Sequence, residues 1–197
     1  MSDDNNFKVY EGMNGVWSRS CKQHNDERGF FMTFMKADEF SNFKFDFAQG
    51  SISSSLPRVF RGFHLQINQW QLITVVKGAV RDIFIDIDSD STTFGMIGEL
   101  SLSNESINQL LLAPNIAHGY LVGNETAIIS YSHSSPYDPE GEIGVSYRSP
   151  EFARINLKLD HRNIVSERDQ NLHSFREASE KFKFMSNQIS KSPKDEI

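Results

Sequence analysis

Short runs of Val, Ile, Phe and Leu fill the chain between about residues 43 and 134, and Gly, Asn, Asp, Ser and Pro separate them. Short apolar runs with turn residues at frequent intervals predict an all-β sandwich or barrel built from antiparallel strands. The strands predicted in this way cover residues 43–49, 59–66, 71–77, 80–88, 109–112, 119–122 and 127–133. Turn clusters are predicted at residues 88–93, 103–106 and 136–144.

Gly78 stands between two of these runs, residues 71–77 and 80–88. Glycine at a short break between two strand-like runs predicts an antiparallel hairpin. In the second run, isoleucine alternates with aspartate and phenylalanine from position 82 to position 88. The alternation predicts a strand with one apolar face and one mixed face.

Helical spacing is seen only near the end of the chain. Between residue 170 and about residue 185, apolar positions recur three or four residues apart, at Leu172, Phe175, Ala178 and Phe182. This spacing predicts one amphipathic helix, and the polar sequence SKSPKDEI after it predicts a flexible tail. We therefore expect a barrel domain over residues 1–170, followed by a helix and tail over residues 171–197.

The length and composition agree with one domain. A chain of 197 residues fits a single core, and its 16 Phe supply bulky apolar surface for a sheet-rich interior. The net charge is -6, and Lys and Arg are scattered rather than gathered into a stripe. Nucleic acid is therefore not an expected partner.

Cysteine content and hydropathy bear on the cellular compartment. The single cysteine, Cys21, cannot form an internal disulfide, and the first ten residues, MSDDNNFKVY, lack the basic start and apolar run of a signal peptide. No apolar stretch approaches the roughly 20 residues that cross a bilayer. We expect a soluble cytoplasmic protein with no membrane partner.

Candidate chemistry concentrates in residues 58–66. Strand alternation puts His64 on one face with Phe60, Gly62 and Gln66, and Arg61 on the opposite face. If the first face lines the mouth of a barrel, His64 and Gln66 lie at a ligand site. The alternative is a histidine that packs in the core, and spacing alone leaves both open.

Several motifs occur together in a characteristic order: DERGFF (26–31), FRGFHLQ (60–66), KGAV (77–80), STTFG (91–95), AHGY (117–120), YDP (137–139) and SERD (166–169). With these motifs the chain resembles the deoxy-sugar 3,5-epimerases, typified by dTDP-4-dehydrorhamnose 3,5-epimerase, from about residue 26 to residue 169. The resemblance implies a cupin-type antiparallel β-barrel, or jelly roll. It also implies a homodimer that uses no cofactor and acts on a dTDP-sugar in rhamnose or lipopolysaccharide biosynthesis.

The resemblance also implies catalytic roles. A neutral histidine, here His64, removes the proton on the carbon next to a C4 ketone, and Asp169 hydrogen-bonds that histidine and raises its basicity. Tyr131 returns a proton from the opposite face. The enolate formed between these steps needs a donor or a cation at its oxygen. Arg61 is a candidate for this role if the strand bends.

Further residues are implied to bind the substrate. Arg28 and Gln49 match contacts to the nucleotide, with Arg28 reaching the pocket of the neighbouring chain, and Tyr137 matches an aromatic that stacks on the base. His118 matches a second active-site histidine. The set is completed by Phe31, Ser51, Gln71, Glu142 and Arg168.

One departure from the family pattern concerns the enolate. Gln71 stands where the family has a lysine, and loss of a charge-assisted contact in a dry site costs about 2–4 kcal/mol, or roughly 10²–10³ in rate. The expected function is inversion of C3, C5 or both, and the alternative is a binding protein without turnover. A metal site is not expected, because Gln66 replaces the second histidine of a His-x-His pair.

Overall fold

The computed structural model describes residues 7–155, 157 and 159–191. The strands in these residues are β1 (Lys8–Val9), β2 (Val16–Arg19), β3 (Gln23–Asp26), β4 (Gly29–Met32), β5 (Gln49–Ser55), β6 (Val59–Gln66), β7 (Gln71–Lys77), β8 (Ala79–Asp86), β9 (Ile97–Ser103), β10 (Gln109–Leu112), β11 (Ile116–Val122), β12 (Ala127–His133), β13 (Glu142–Gly144) and β14 (Ile164–Val165). The α-helices are α1 (Glu167–Gln170) and α2 (Phe175–Lys191). Short 3-10 helices cover Ala37–Phe40, Pro139–Gly141 and Pro150–Ile155.

Two antiparallel sheets face each other and enclose the main core. The first sheet has the order β1-β2-β10-β7-β12-β5, and the second has the order β13-β6-β11-β8-β9, with β14 parallel to β6. Strands β3 and β4 form a separate two-stranded sheet. Apolar side chains of both sheets meet in the interior, among them Ile73, Ile129, Phe84 and Tyr120. The predicted antiparallel all-β architecture is confirmed.

A second core lies on the outer face of the second sheet. Ile83, Ile85 and Ile87 of the β8 segment pack there with Phe175 and Phe182 of α2. β8 is therefore buried on both faces, because its other face points into the interior. Alternate side chains of β8 therefore point into two different cores, and neither face of the strand points to solvent.

The hairpin predicted around Gly78 is wrong. β7 pairs with β10 and β12 in the first sheet, whereas β8 pairs with β9 and β11 in the second. Gly78 has a φ of +76°, and a Cβ there would lie 2.7 Å from the carbonyl oxygen of Thr126. The glycine thus allows a tight corner at which the chain passes from one sheet to the other.

The strand predicted at residues 43–49 is also wrong. This segment forms turns and irregular structure, and the strand begins only at Gln49. Of the phenylalanines that suggested a strand, Phe43 and Phe45 pack in a separate cluster with Leu72 and Leu111, whereas Phe47 is 56% exposed. The real strand, β5, has the polar sequence QGSISSS and lies at the edge of its sheet, so it lacks the apolar signal of a central strand.

The C-terminal helix differs from its prediction at both ends. α1 is a separate short helix, and α2 begins at Phe175 and continues through Ser190 to Lys191. The rest of the predicted tail, residues 192–197, lies outside the described residues, and the division of the chain at residue 170 stays a prediction. Across the described ranges, no helix combines the length and the apolar character needed to cross a membrane.

Candidate active site

A cavity of about 360 Å³ lies between the two sheets, within the size range of ligand pockets. The wall from the first sheet consists of Gln49, Ser51, Gln71, Tyr131 and His133. The wall from the second sheet consists of Arg61, His64, His118 and Tyr120. The lining also includes Gln69, Tyr137, Glu142 and Arg168.

His64 lies on β6 and is held by a carboxylate from α1. Its Nε2 is 2.8 Å from Oδ1 of Asp169. Asp169 is itself fixed, because its backbone N–H donates to Oγ of the helix-capping Ser166 and its Oδ2 accepts the backbone N–H of Gly62 at 3.3 Å. Since the carboxylate only accepts, Nε2 carries a proton, and in the neutral ring Nδ1 keeps the lone pair. The alternative of a histidine packed in the core is wrong.

A second carboxylate lies on the other side of the His64 ring. Oε1 of Glu142 is 2.9 Å from Nδ1, yet it is not aligned for a hydrogen bond, and Nδ1 has no hydrogen-bond partner among the described residues. Glu142 is bound to the Arg168 guanidinium and accepts a 2.6 Å hydrogen bond from the Tyr137 hydroxyl. Burial lowers the pKa of His64, but Asp169 and Glu142 together outweigh burial and raise it above 6.5.

The side chain of Arg61 faces the same cavity as His64, which simple alternation does not allow. The register of β11 on β6 pairs His118 with His64 and Tyr120 with Arg61, so three steps along β6 match two along β11. This is a β-bulge, and it turns Arg61 toward the cavity. Grouping Phe60 with His64 was therefore wrong, because Phe60 packs in the outer core.

Two glycines make the bulge possible. Gly62 has a φ of +128°, and a Cβ on it would lie 2.4 Å from the Cα of Gly119 on β11. The backbones therefore approach more closely than any side chain permits. Beside this crossing, Nε of Arg61 donates to Oγ of Ser55 at 3.0 Å. Gln66 does not line the cavity, and its side-chain amide donates to the carbonyl of Pro136 at 3.1 Å.

Tyr131 and His118 lie on facing walls, with ring centroids 6.5 Å apart. Burial, reinforced by the neighbouring Tyr120, raises the pKa of Tyr131 well above 10, so the phenol keeps its proton at neutral pH. Nδ1 of His118 is 3.2 Å from Oδ2 of the buried Asp82. Burial raises the pKa of Asp82 and the histidine opposes that rise.

Two of the candidates from sequence lie away from the cavity. Arg28 stands in the turn between β3 and β4, pairs with Asp26, and has a side chain that is 85% exposed. Phe31 on β4 is 70% exposed. Within one chain these residues do not meet His64.

One cavity residue, His133, was missed by the sequence analysis. It follows Tyr131 by two positions on β12, so strand alternation brings it to the same face. That spacing was the available signal. As for metals, the described part of the chain contains no group of three or more His, Cys, Asp or Glu side chains that could hold an ion.

Comparison with known families relates the chain to sugar epimerases. The family model described as dTDP-4-dehydrorhamnose 3,5-epimerase matches residues 11–177. The dTDP-4-dehydrorhamnose 3,5-epimerase of Methanothermobacter thermautotrophicus is 32% identical over 160 residues, which cover 78% of this chain and 86% of that protein. The dTDP-4-dehydrorhamnose 3-epimerase of Streptomyces niveus is 32% identical over 148 residues, which cover 72% of each chain.

The fold is similar to that of a solved relative. The dTDP-6-deoxy-D-glucose-3,5-epimerase of Legionella pneumophila, solved in complex with dTDP-4-keto-L-rhamnose, superposes with a TM-score of 0.79 at 29% identity. The match covers 87% of this chain and 93% of that chain. This similarity confirms the cupin-type jelly roll predicted from the sequence.

Proposed function

The chain belongs to the dTDP-4-dehydrorhamnose 3,5-epimerase family and is an epimerase, and we propose that its cavity inverts C3, C5 or both of a dTDP-linked 4-keto-6-deoxy sugar. The observation that carries this proposal is the pairing of His64 with Asp169 at 2.8 Å on one wall, with the phenol of Tyr131 on the other. A base and an acid on opposite walls are what an inversion at carbon requires.

The first step is proton abstraction. Nδ1 of His64 takes the proton from the carbon next to the C4 ketone, and the electron pair of the broken C–H bond moves to form an enolate at the C4 oxygen. Asp169 supports this step because its carboxylate stabilises the imidazolium that results. Since Asp169 engages Nε2, Nδ1 is the ring nitrogen left to act as the base.

The enolate needs donors on its oxygen. Arg61 and His118 line the same wall as His64, and the guanidinium of Arg61 has donors beyond the one bonded to Ser55. We assign these two side chains to the C4 oxygen. Charge stabilisation of this kind is often the largest single contribution to catalysis.

The second step is protonation from the other wall. Tyr131 gives its phenolic proton to the face of the carbon opposite His64, which completes the inversion. The relatives include both a 3,5-epimerase and a 3-epimerase at 32% identity, so identity does not separate inversion at one carbon from inversion at two. The number of inverted carbons is therefore left to experiment.

The alternative of a binding protein without turnover gains no support. Gln71 lines the cavity as a neutral side chain, but the base, its carboxylate partner and the phenol are all retained. Arg61 also places a guanidinium on the wall opposite Gln71. The absence of the lysine therefore accords with a slower or altered epimerase.

We also propose a homodimer whose second chain completes the nucleotide end of the cavity. Support comes from the β3–β4 hairpin, which forms a sheet of its own and exposes Arg28 and Phe31. Arg28 would reach into the cavity of the other chain and face the diphosphate there. Tyr137 and Gln49, which line that cavity in its own chain, would face the base. The same family membership supports a cytoplasmic enzyme in dTDP-rhamnose or lipopolysaccharide biosynthesis.

The experiment is solvent exchange followed by NMR. In D₂O, the enzyme is expected to incorporate deuterium at C3, C5 or both of dTDP-4-keto-6-deoxyglucose. Label at C3 alone identifies a 3-epimerase, and label at both carbons a 3,5-epimerase. A complete lack of exchange with dTDP-linked and other nucleotide-linked 4-keto sugars would contradict the proposal.

A further inference from the structure

His133 lies in the cavity and has no role in the proposed steps. It follows Tyr131 on β12 and faces the same way, with ring centroids 6.0 Å apart. Its strand neighbours are Gln49 on β5 and Gln71 on β7, and both of them line the cavity. The ring therefore lies between the nucleotide end and the sugar end of the proposed site.

Hydrogen bonds to Gln69 fix the position of the proton on the His133 ring. The side-chain nitrogen of Gln69 is 2.8 Å from the backbone carbonyl oxygen of Ser135, which can only accept a hydrogen bond. The amide oxygen of Gln69 must then face His133, where it lies 2.6 Å from Nδ1. Nδ1 consequently carries a proton, and Nε2 is the atom left for other partners.

Nε2 of His133 is buried and has no hydrogen-bond partner within the described residues. Burial, together with the nearby His118, lowers the pKa of His133 below 6.5, so the ring is neutral at pH 7. In a neutral ring protonated at Nδ1, Nε2 can only accept. Buried polar atoms normally have a partner, and because His133 lines the cavity, a hydrogen-bond donor of the ligand can supply one to Nε2.

We propose that Nε2 of His133 accepts a hydrogen bond from a ring hydroxyl of the sugar and so selects a substrate that carries this hydroxyl. The inference rests on the proposed function, because it assumes that a nucleotide sugar occupies the cavity. A sugar whose reacting carbon meets Tyr131 presents a neighbouring substituent to the ring 6.0 Å away. His133 is thus a specificity-determining residue rather than a second base.

The test compares substrates that differ by one hydroxyl. Two analogues are compared with dTDP-4-keto-6-deoxyglucose, one lacking the C2 hydroxyl and one lacking the C3 hydroxyl. The wild-type enzyme is expected to show a kcat/KM roughly tenfold lower for the analogue that lacks the hydroxyl bound by His133. His133→Phe removes the acceptor and keeps an aromatic ring, so this preference should fall to about twofold or less. His133→Gln offers an oxygen near the position of Nε2 and should restore part of the preference.

Two results would overturn the inference. One is the same substrate preference in the wild type and in His133→Phe. The other is a loss of affinity for dTDP alone in His133→Phe that equals its loss of affinity for the dTDP-sugar, which would assign the ring to the nucleotide. If the wild type exchanges no deuterium with any nucleotide ketosugar, the proposed function fails first and this inference fails with it.

A second measurement observes the ring in the wild-type enzyme. ¹⁵N NMR of the histidine-labelled protein should show the His133 imidazole as neutral and protonated at Nδ1, with an Nε2 signal that shifts when the dTDP-sugar is added. His133→Gln serves to assign that signal. A proton found on Nε2 in the free enzyme would contradict the inference.

Discussion

His64 has a carboxylate on each side of its ring, and this arrangement governs how its charge responds to pH. Asp169 accepts a hydrogen bond from the Nε2–H group, while Glu142 lies 2.9 Å from Nδ1 and favours a proton on that nitrogen as well. Asp169 therefore orients the base and also raises its pKa, whereas Glu142 only raises the pKa. Both carboxylates thus favour the protonated ring at low pH.

The first prediction concerns the acid limb of the pH profile. Proton abstraction requires neutral His64, whose pKa is raised above 6.5, so kcat/KM should fall as pH decreases through a value above 6.5. Glu142→Gln removes one of the charges that raise this pKa, so the limb should move to lower pH. The raised pKa of Tyr131 means that the phenol should cause no alkaline loss below about pH 10.

The matched control for this profile is Glu140→Gln, an exposed glutamate two residues away. It should leave the acid limb unchanged. The profile is measured as the rate of solvent exchange between pH 5 and 10. An acid limb in Glu142→Gln that stays in place or moves to higher pH would contradict the role given to Glu142.

Much of the cavity could be predicted at the residue scale. His64 and His118 were identified by motifs and Tyr131 by the family resemblance, and the structure brings all three to one cavity. Arg28 and Phe31 were predicted to bind substrate, but they lie outside the cavity of their own chain. Their proposed site is the cavity of a partner chain. His133 belongs to no motif, and only its spacing from Tyr131 could have indicated it.

At the scale of elements, β6 shows where sequence periodicity fails. Its limits were predicted correctly, but the bulge at Gly62 depends on Gly119 of a strand that is distant in sequence. Alternation counts residues along one strand and cannot detect such a contact. The hairpin predicted at Gly78 is wrong for the same reason. The partners of β7 and β8 are strands distant in sequence, which a local pattern cannot identify.

The second prediction tests the bulge. Gly62→Ala introduces a Cβ 2.4 Å from the Cα of Gly119 at a φ of +128°, so the variant should lose about 2–5 kcal/mol of unfolding free energy. The fraction of this variant that still folds should lose activity, because Arg61 and His64 no longer face the same cavity. Urea denaturation at a fixed protein concentration, with exchange assays on the same samples, measures both effects.

Gly123→Ala is the control for this substitution. The nearest atom to a Cβ at Gly123 is the carbonyl oxygen of Ala79 at 4.0 Å, so stability should change by less than about 1 kcal/mol. A Gly62→Ala enzyme with wild-type stability and activity would show that the bulge is not needed to bring Arg61 to the cavity.

For the whole molecule, the exposed hairpin is the feature that a single chain does not explain. Phe30 and Phe31 on β4 are 44% and 70% exposed, and Ile52 on the edge strand β5 is 76% exposed. Large apolar side chains at a sheet edge and on a separate hairpin are each typical of a surface that another chain covers. This agrees with the proposed homodimer.

The third prediction is that Arg28 binds nucleotide across that dimer. Arg28→Ala should weaken dTDP binding roughly tenfold, because a charge-assisted contact to the diphosphate is lost. Arg162→Ala is a matched control, since Arg162 pairs with Asp160 just as Arg28 pairs with Asp26. Calorimetry gives the affinities, and light scattering gives the mass. A monomer, or equal affinities in the two variants, would contradict the prediction.

The fourth prediction addresses the central claim, that a base on one wall and an acid on the other perform the inversion. The decisive measurement follows deuterium exchange and epimer formation together in His64→Asn and Tyr131→Phe, with Tyr147→Phe of the outer core as the control. His64→Asn should abolish both exchange and inversion. Tyr131→Phe should retain exchange on the His64 face and lose inversion, and the control should retain both. Inversion at an undiminished rate in either active-site variant would contradict the account.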